Sequence, residues 1–342
     1  MRLRHRPSTP NDFRACLEIS TVRGRYGSVF QRLPEIWAAL LYEDSLLSAV
    51  VENLDGGAHS PCLAFGVSVF LRDEFVRQAK VPPLFWIGPE LVRRAFTKDT
   101  PILDLDEIRA ANSGDGLNLF VWEVDVRPVN STDFLPVTTE LTKAFFEYHA
   151  GFNIKEVIGQ HPFGRVLNAA VQVGGWLAHH RSGNYSSVGD PREIERQGSP
   201  FILGLTRELA HRSPGSWLTT LFDYRPPRLF LTAAEQRLLK SALEEERTDA
   251  EISKLLTLSI STIKKCWQSV YSKASFWMPD LLPDDSYGPT SQGIRGAEKR
   301  RRLLLYLRNN PQELRPRLAN RATVPTGAQS PHRDSRADPV AS

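Results

Sequence analysis

The chain has 342 residues, 41% of them hydrophobic, with 43 Lys and Arg against 39 Asp and Glu and a formal net charge of +4. That length and balance fit two globular domains and exclude a disordered or fibrous chain, while the small basic excess is compatible with nucleic acid without identifying it. Cys16, Cys62 and Cys266 are far apart, odd in number and without C-x-x-C spacing, which argues against a disulfide framework or a zinc site and points to a reducing cytoplasm.

The opening MRLRHRPSTPNDF has basic residues but no apolar stretch behind them, so it is expected to be the mature start and not a secretory signal. A strand is expected over Arg2 to His5, a short helix over Asp12 to Ser20, and strands over Leu47 to Leu54 and Leu63 to Leu71. From Leu117 to Val126, Leu119, Val121, Glu123 and Asp125 alternate with Phe120, Trp122, Val124 and Val126, a period of two that predicts a strand with one strongly apolar face. A helical pattern follows over Thr138 to Tyr148, and Gly151 then caps it and leads into a strand. Next come an expected helix over Gly164 to His180, a polar loop around Ser182 to Asp190, and strand-like pieces at Phe201 to Leu205 and Trp217 to Phe222. Apolar runs such as Val166 to Ala178 are shorter than the roughly 20 residues that span a bilayer, so no membrane partner is expected.

Pro226 and Pro227 forbid helix through a hinge at residues 225–228. Beyond it, three short amphipathic segments are expected within 229–275. Thr232 and Glu235 form a capping box for the first, which turns Leu238, Leu239, Ala242 and Leu243 to one face. Asp249 is read as the cap of the second, with Ile252, Leu255 and Leu256 inward. Ser259 caps the third, where Ile263, Cys266, Val270 and Ala274 form the inner stripe and leave Lys264, Lys265 and Gln268 outward. Trp267 is read as packing on a neighbouring helix or a dimer partner. Such a pair of helices inserts the second into the major groove, with its cationic and amide donors on bases and the hydroxyls of Ser259, Ser261 and Thr262 near phosphate.

These residues resemble the LuxR-type helix-turn-helix. Leu231, Thr232, Glu235, Leu238, Leu239, Thr248, Glu251, Ile252, Leu256, Ser259, Thr262, Ile263, Lys264, Val270 and Lys273 match its pattern in register. Glu246 and Thr257 stand where that family favours glycine, and Cys266 where it favours histidine. The resemblance implies a transcription regulator that binds double-stranded DNA as a homodimer, with RNA polymerase as a candidate partner. A helix over 294–310 carries Leu303, Leu304 and Leu307 with Lys299, Arg300, Arg301, Arg302 and Arg308 around them. It is read either as a replacement for the family's fourth helix, with arginines near phosphate, or as an amphipathic surface helix. Residues 314–342 lack apolar periodicity and are expected to be disordered.

The element order over residues 1–160 faintly resembles that of GNAT acetyltransferases, which implies a mixed sheet with helices. The fold class expected is therefore an α+β first domain (residues 1–224) followed by an all-α helix-turn-helix domain. That family holds acyl-CoA pyrophosphate on an R/Q-x-x-G-x-G/A loop, whereas this chain has Arg127-Pro-Val-Asn-Ser-Thr-Asp-Phe-Leu-Pro136 there, without glycine and with Asp133. Glu123 is read as a polar residue on a half-exposed strand face in preference to a general base. The histidines show no ligand spacing. No catalytic residue, cofactor or metal is assigned, and the first domain is read as sensing a small-molecule effector or a protein partner, with an acetyltransferase as the alternative.

Overall fold

The computed structural model describes residues 1–55, 62–160, 177–179, 185–187, 200–212, 217–244, 247–282 and 296–318. It is mixed α/β and divides into one unit of Met1–Pro227 with Leu307–Leu318 and a second that includes Arg228–Tyr306. No helix among the described residues is long and apolar enough to cross a membrane.

The first unit is built on one sheet of β1 (Leu3–Pro7), β2 (Leu46–Asn53), β3 (Cys62–Leu71), β4 (Leu117–Val126), β5 (Ile154–Gly159), β6 (Leu177–His179), β7 (Tyr185–Ser187) and β8 (Ile202–Thr206). Their order is β1-β2-β3-β4-β5-β8-β6-β7. Neighbours are antiparallel except β4 and β5, which run parallel. A parallel pair needs a crossover, and here it is the helix Ser131–His149. Pairing of β4 with β5 covers only Leu117 to Val121, so the last part of β4 continues without β5 beside it.

Helices α1 (Asp12–Ile19), α2 (Arg23–Tyr26) and α3 (Leu33–Tyr42) come between β1 and β2, and α4 (Asp73–Ala79), α5 (Ile87–Arg94) and α6 (Leu105–Ser113) between β3 and β4. The crossover is α7 and a short α8 (Arg207–Arg212) follows β8. One sheet face packs Phe65, Val67, Phe120 and Trp122 under Phe13, Trp37 and Leu91 from these helices. Asp104 caps α6 by accepting from the Asp106 and Glu107 amides, and Glu107 returns the bond to the Asp104 amide. That reciprocal box satisfies donors the helix start would otherwise leave unpaired.

Several expectations are corrected here. α7 begins at Ser131, seven residues before the expected start, and passes through Pro136; Asp133 sits in its first turn, where the helix dipole favours a carboxylate. Trp217–Phe222 is a 3₁₀ segment, because its buried Leu218, Leu221 and Phe222 recur at three and four residues and not at two. The expected helix over Gly164 to His180 lies mostly outside the described residues, but its Leu177–His179 is strand. Tyr185–Ser187, within the expected polar loop, is also strand, because it pairs with β6.

The largest correction concerns β4. Val67 pairs with Glu123 and Ser68 with Val121, leaving Trp122 as a bulge. A bulge breaks the period of two. Trp122, Glu123 and Asp125 therefore share the face of α1 to α3, while Val126 joins Val137 and Leu141 of α7 on the other.

Residues 314–318, expected to be disordered, are ordered. Leu314 is buried, and the Arg315 guanidinium donates to the carbonyls of Ala150 (2.8 Å) and Glu147 (2.9 Å) while lying over Phe152. Asn112 donates to the Pro316 carbonyl at 2.6 Å and accepts from the Asn153 amide at 2.7 Å. The segment supplies a partner to carbonyls at the end of α7, which the helix itself leaves without one; residues 319–342 lie outside the described part. Gly151 makes the close approach feasible, with φ +83° and its missing Cβ directed at the Gln312 backbone. Gly151→Ala is expected to cost at least about 1–2 kcal/mol from the left-handed backbone alone, read as a lower urea midpoint, whereas an unchanged midpoint would contradict this packing.

Candidate nucleic-acid interface

The second unit contains α9 (Ala233–Glu244), α10 (Asp249–Leu256) and α11 (Ile260–Trp277). α9 starts with the expected capping box: the Thr232 amide donates to Glu235 (2.6 Å) and the Glu235 amide to the Thr232 hydroxyl (3.3 Å). Leu238, Leu239 and Ala242 are buried, and Leu243 is only half-buried. The N-cap of α10 is Thr248 and not Asp249, with Glu251 completing a second capping box. Thr248 wins because its hydroxyl reaches the Glu251 amide (3.3 Å) while Glu251 bonds back to its amide (2.7 Å), and Asp249 is left free to bind other groups.

Three residues, Thr257 to Ser259, join α10 to α11. Thr257 ends α10 in the left-handed region at φ 55°, with the Leu258 amide bonded to the Ser253 carbonyl at 3.0 Å. This C-terminal turn suits glycine best, and the threonine adopts it nonetheless. Ser259 then caps α11, its hydroxyl accepting from the Thr262 amide at 3.1 Å and lying 2.8 Å from both the Ser261 and Thr262 hydroxyls. All three hydroxyl residues are exposed.

The buried stripe of α11 is Ile263, Trp267, Val270 and Ala274. Trp267 replaces the expected Cys266, which is half-buried; both positions fit helical spacing, and the larger apolar surface takes the inner place. The Trp267 indole donates to Asp249 (3.2 Å) and stacks on Tyr271. Leu255, expected inward, is 54% exposed, and Leu256 is half-buried, because Ile252 alone fills the α10 contribution to the core. Lys264, Lys265 and Gln268 are exposed on the side away from the stripe. The candidate residues Ser259, Ser261, Thr262, Lys264, Lys265 and Gln268 are thus all on the open surface of the start and first turns of one helix.

Glu235 fixes that helix. It is 4% exposed, and besides capping α9 it accepts from the Ser269 hydroxyl and the Lys273 ammonium of α11, both at 2.7 Å. Lys273 also donates to the Phe230 carbonyl at 3.1 Å. Burial would raise the Glu235 carboxyl, but the bonds from Lys273, the Thr232 amide and Ser269 outweigh it and hold the group below the ordinary glutamate value. The sequence pattern shows Glu235 and Lys273 as matching positions without showing that they touch.

The expected basic helix is α12 (Gly296–Asn309). Leu303 and Leu307 are buried and Leu304 half-buried. Arg300 is no solvated charge: it pairs with Asp249 at 2.8 Å, donates to the Arg247 carbonyl and lies 4.6 Å from the Trp267 ring. Arg301 and Arg302 bond Glu298 within the helix. α12 therefore reaches Trp267 and Asp249 through Arg300.

In the first unit Glu123 is 1% exposed, which corrects its reading as a half-exposed strand residue. Arg25 and Tyr26 both donate to its carboxylate, and the Trp122 indole donates to the Tyr26 hydroxyl at 3.0 Å. Burial and then the Glu123 charge push the Tyr26 hydroxyl well above its ordinary value, so it stays a donor. Arg25 also bonds the Gln160 carbonyl at 2.8 Å and lies over Trp86. Both donors to the Glu123 carboxylate meet the same oxygen, Oε1. No group of three or more His, Cys, Asp or Glu residues is placed to hold a metal among the described residues. No protein-family model matches the chain, and no curated protein is significantly similar to it.

Removing Lys273 leaves a buried carboxylate without its cation, so Lys273→Ala is expected to destabilise the second unit by about 2–4 kcal/mol in chemical denaturation. The lowered Glu235 value also sets a sign: its contribution is fully present above the unfolded glutamate value of about 4.3 and is lost as pH falls through the lower folded value. Stability of the unit that is flat between pH 6 and pH 3 would refute the pair.

Proposed function

We propose that this chain is a DNA-binding transcription regulator whose first unit senses a small-molecule effector or protein partner and whose α11 reads the major groove as part of a homodimer. The observation that carries the reading is the exposed row Lys264, Lys265 and Gln268 on a helix whose opposite side is the buried stripe Ile263, Trp267, Val270 and Ala274. Such a row offers donors to the acceptors of base edges, while Ser259, Ser261 and Thr262 at the helix start suit phosphate oxygens. The likeness to the LuxR-type pattern and to an α+β domain followed by an all-α domain is part of the same proposal.

The parallel β4–β5 pair, the helix between them and the open end of β4 support a GNAT-like plan for the first unit. The sealed Glu123 and the glycine-free start of α7 favour a sensor over an acyltransferase. Diphosphate binding needs several converging N–H donors, and Asp133 occupies the first turn of α7. The reading therefore assigns no catalytic residue and no cofactor.

After selection of a duplex from a random pool by the full chain, Lys264→Ala with Lys265→Ala is expected to weaken its binding at least tenfold with the melting profile retained. A base contact is worth about 1–3 kcal/mol and relaxes one position, whereas a phosphate contact weakens all sequences alike; unchanged affinity would overturn the interface. Calorimetry of the full chain with acetyl-CoA is expected to show no micromolar binding. Such binding, together with turnover lost in Glu123→Gln, would replace the sensor with an enzyme.

A further inference from the structure

Two apolar side chains flank the Ser259 cap on the open surface: Leu258 is 41% exposed and Ile260 is 40% exposed. Neither belongs to the buried stripe of α11. The backbone that carries them is fixed to α10. The Leu258 amide donates to the Ser253 carbonyl at 3.0 Å, and the Leu258 carbonyl accepts from the Ser253 hydroxyl at 2.5 Å. Ile260 is then the first residue of α11, directly after its cap.

Ile260, Lys264 and Gln268 are all exposed and recur every four residues, which puts them on one ridge of the helix. Helix starts favour polar or acidic side chains, yet the first turn of α11 has no acidic residue and presents an isoleucine instead. Nothing at that position repels a phosphate backbone. Trp267, the large apolar side chain two turns further on, is buried and donates to Asp249 at 3.2 Å, so it is turned away from that ridge.

We propose that Ile260 reads the C5-methyl group of a thymine, as the apolar end of the ridge whose polar part is Lys264 and Gln268. This rests on the DNA-binding reading above and adds a base contact that the polar row does not supply. The chemistry of the major groove selects the partner. Base edges there present hydrogen-bond donors and acceptors together with the thymine methyl. Isoleucine has no hydrogen bond to offer, and only the methyl rewards it, because water then leaves both apolar surfaces. Four residues of helix rise about 6 Å and base pairs are spaced about 3.4 Å apart, so the thymine lies within about two base pairs of the one that Lys264 reads.

The test selects a duplex from a random pool with the full chain, then replaces each thymine of the bound site in turn by deoxyuridine. That exchange removes the methyl and keeps the pairing edge and its acceptors. Expected is a thymine whose replacement weakens binding about fourfold, the effect of burying one carbon of this kind. In Ile260→Ala that sensitivity should vanish with the melting profile retained, and in Ile260→Val, which keeps the branched side chain, it should remain. Should Ile260→Ala fail to fold, 5-iodouracil at the sensitive position is photo-crosslinked to the unaltered chain: a crosslink within residues 258–261 supports the proposal, and one elsewhere overturns it. A site with no deoxyuridine-sensitive thymine, or one whose sensitivity survives Ile260→Ala, overturns the proposal and leaves the regulatory reading standing on Lys264 and Lys265. Failure to select any duplex overturns that reading and the proposal with it.

Discussion

Glu235 gathers at one buried point the cap of α9, a hydroxyl of α11 and the ammonium that also holds the chain before α9. An ionised carboxylate this far from water is tolerable only when donors surround it. Each donor comes from a different turn, so the requirement that Glu235 be satisfied also specifies the rotation of α11 about its own axis. That rotation decides which residues of α11 face outward. The exposure of Lys264, Lys265 and Gln268 is therefore set together by the buried stripe of Ile263, Trp267, Val270 and Ala274 and by the Glu235 contacts with Ser269 and Lys273 beside it.

Much of this was legible because short helices announce themselves locally. Thr232 with Glu235 and Ser259 with Thr262 are caps within three or four residues, and the apolar stripe repeats at helical spacing. What could not be read is what depends on shape. Cys266 and Trp267 both satisfy the period of the stripe, and only the size of the space beside α10 and α12 selects the indole. Asp249 looks like a cap by type, yet Thr248 takes that role once Glu251 can answer it, and the freed carboxylate binds Trp267 and Arg300. Arg300 in turn has no sequence signal that separates it from Arg301 or Arg302, which stay on their own helix.

In the first unit the same division holds for strands. The alternation in β4 is visible and the strand limits were read correctly, but one bulged residue inverts the reading of everything after it. A bulge costs no apolar residue and leaves no mark in the period beyond the point where it occurs. Glu123 was placed on the wrong face for that reason alone.

The bulge also bears on what the first unit does. Without it, Glu123 would lie on the α7 side among Val137 and Leu141. With it, Glu123 comes to Arg25 and Tyr26 beside the stretch of β4 that β5 leaves uncovered. Arg25 and Tyr26 both donate to the same oxygen of the Glu123 carboxylate, Oε1. The network reaches on through Arg25 to Gln160 at the end of β5, and Gln160 accepts from the Ile87 amide at 2.7 Å. It thus ties α2, α5 and the end of β5 to β4 through charged and polar bonds. A network of that kind holds elements in one arrangement when every member is paired and loosens them when one is not. A group that competed for Arg25 would therefore act on Glu123, Gln160 and the elements that carry them together.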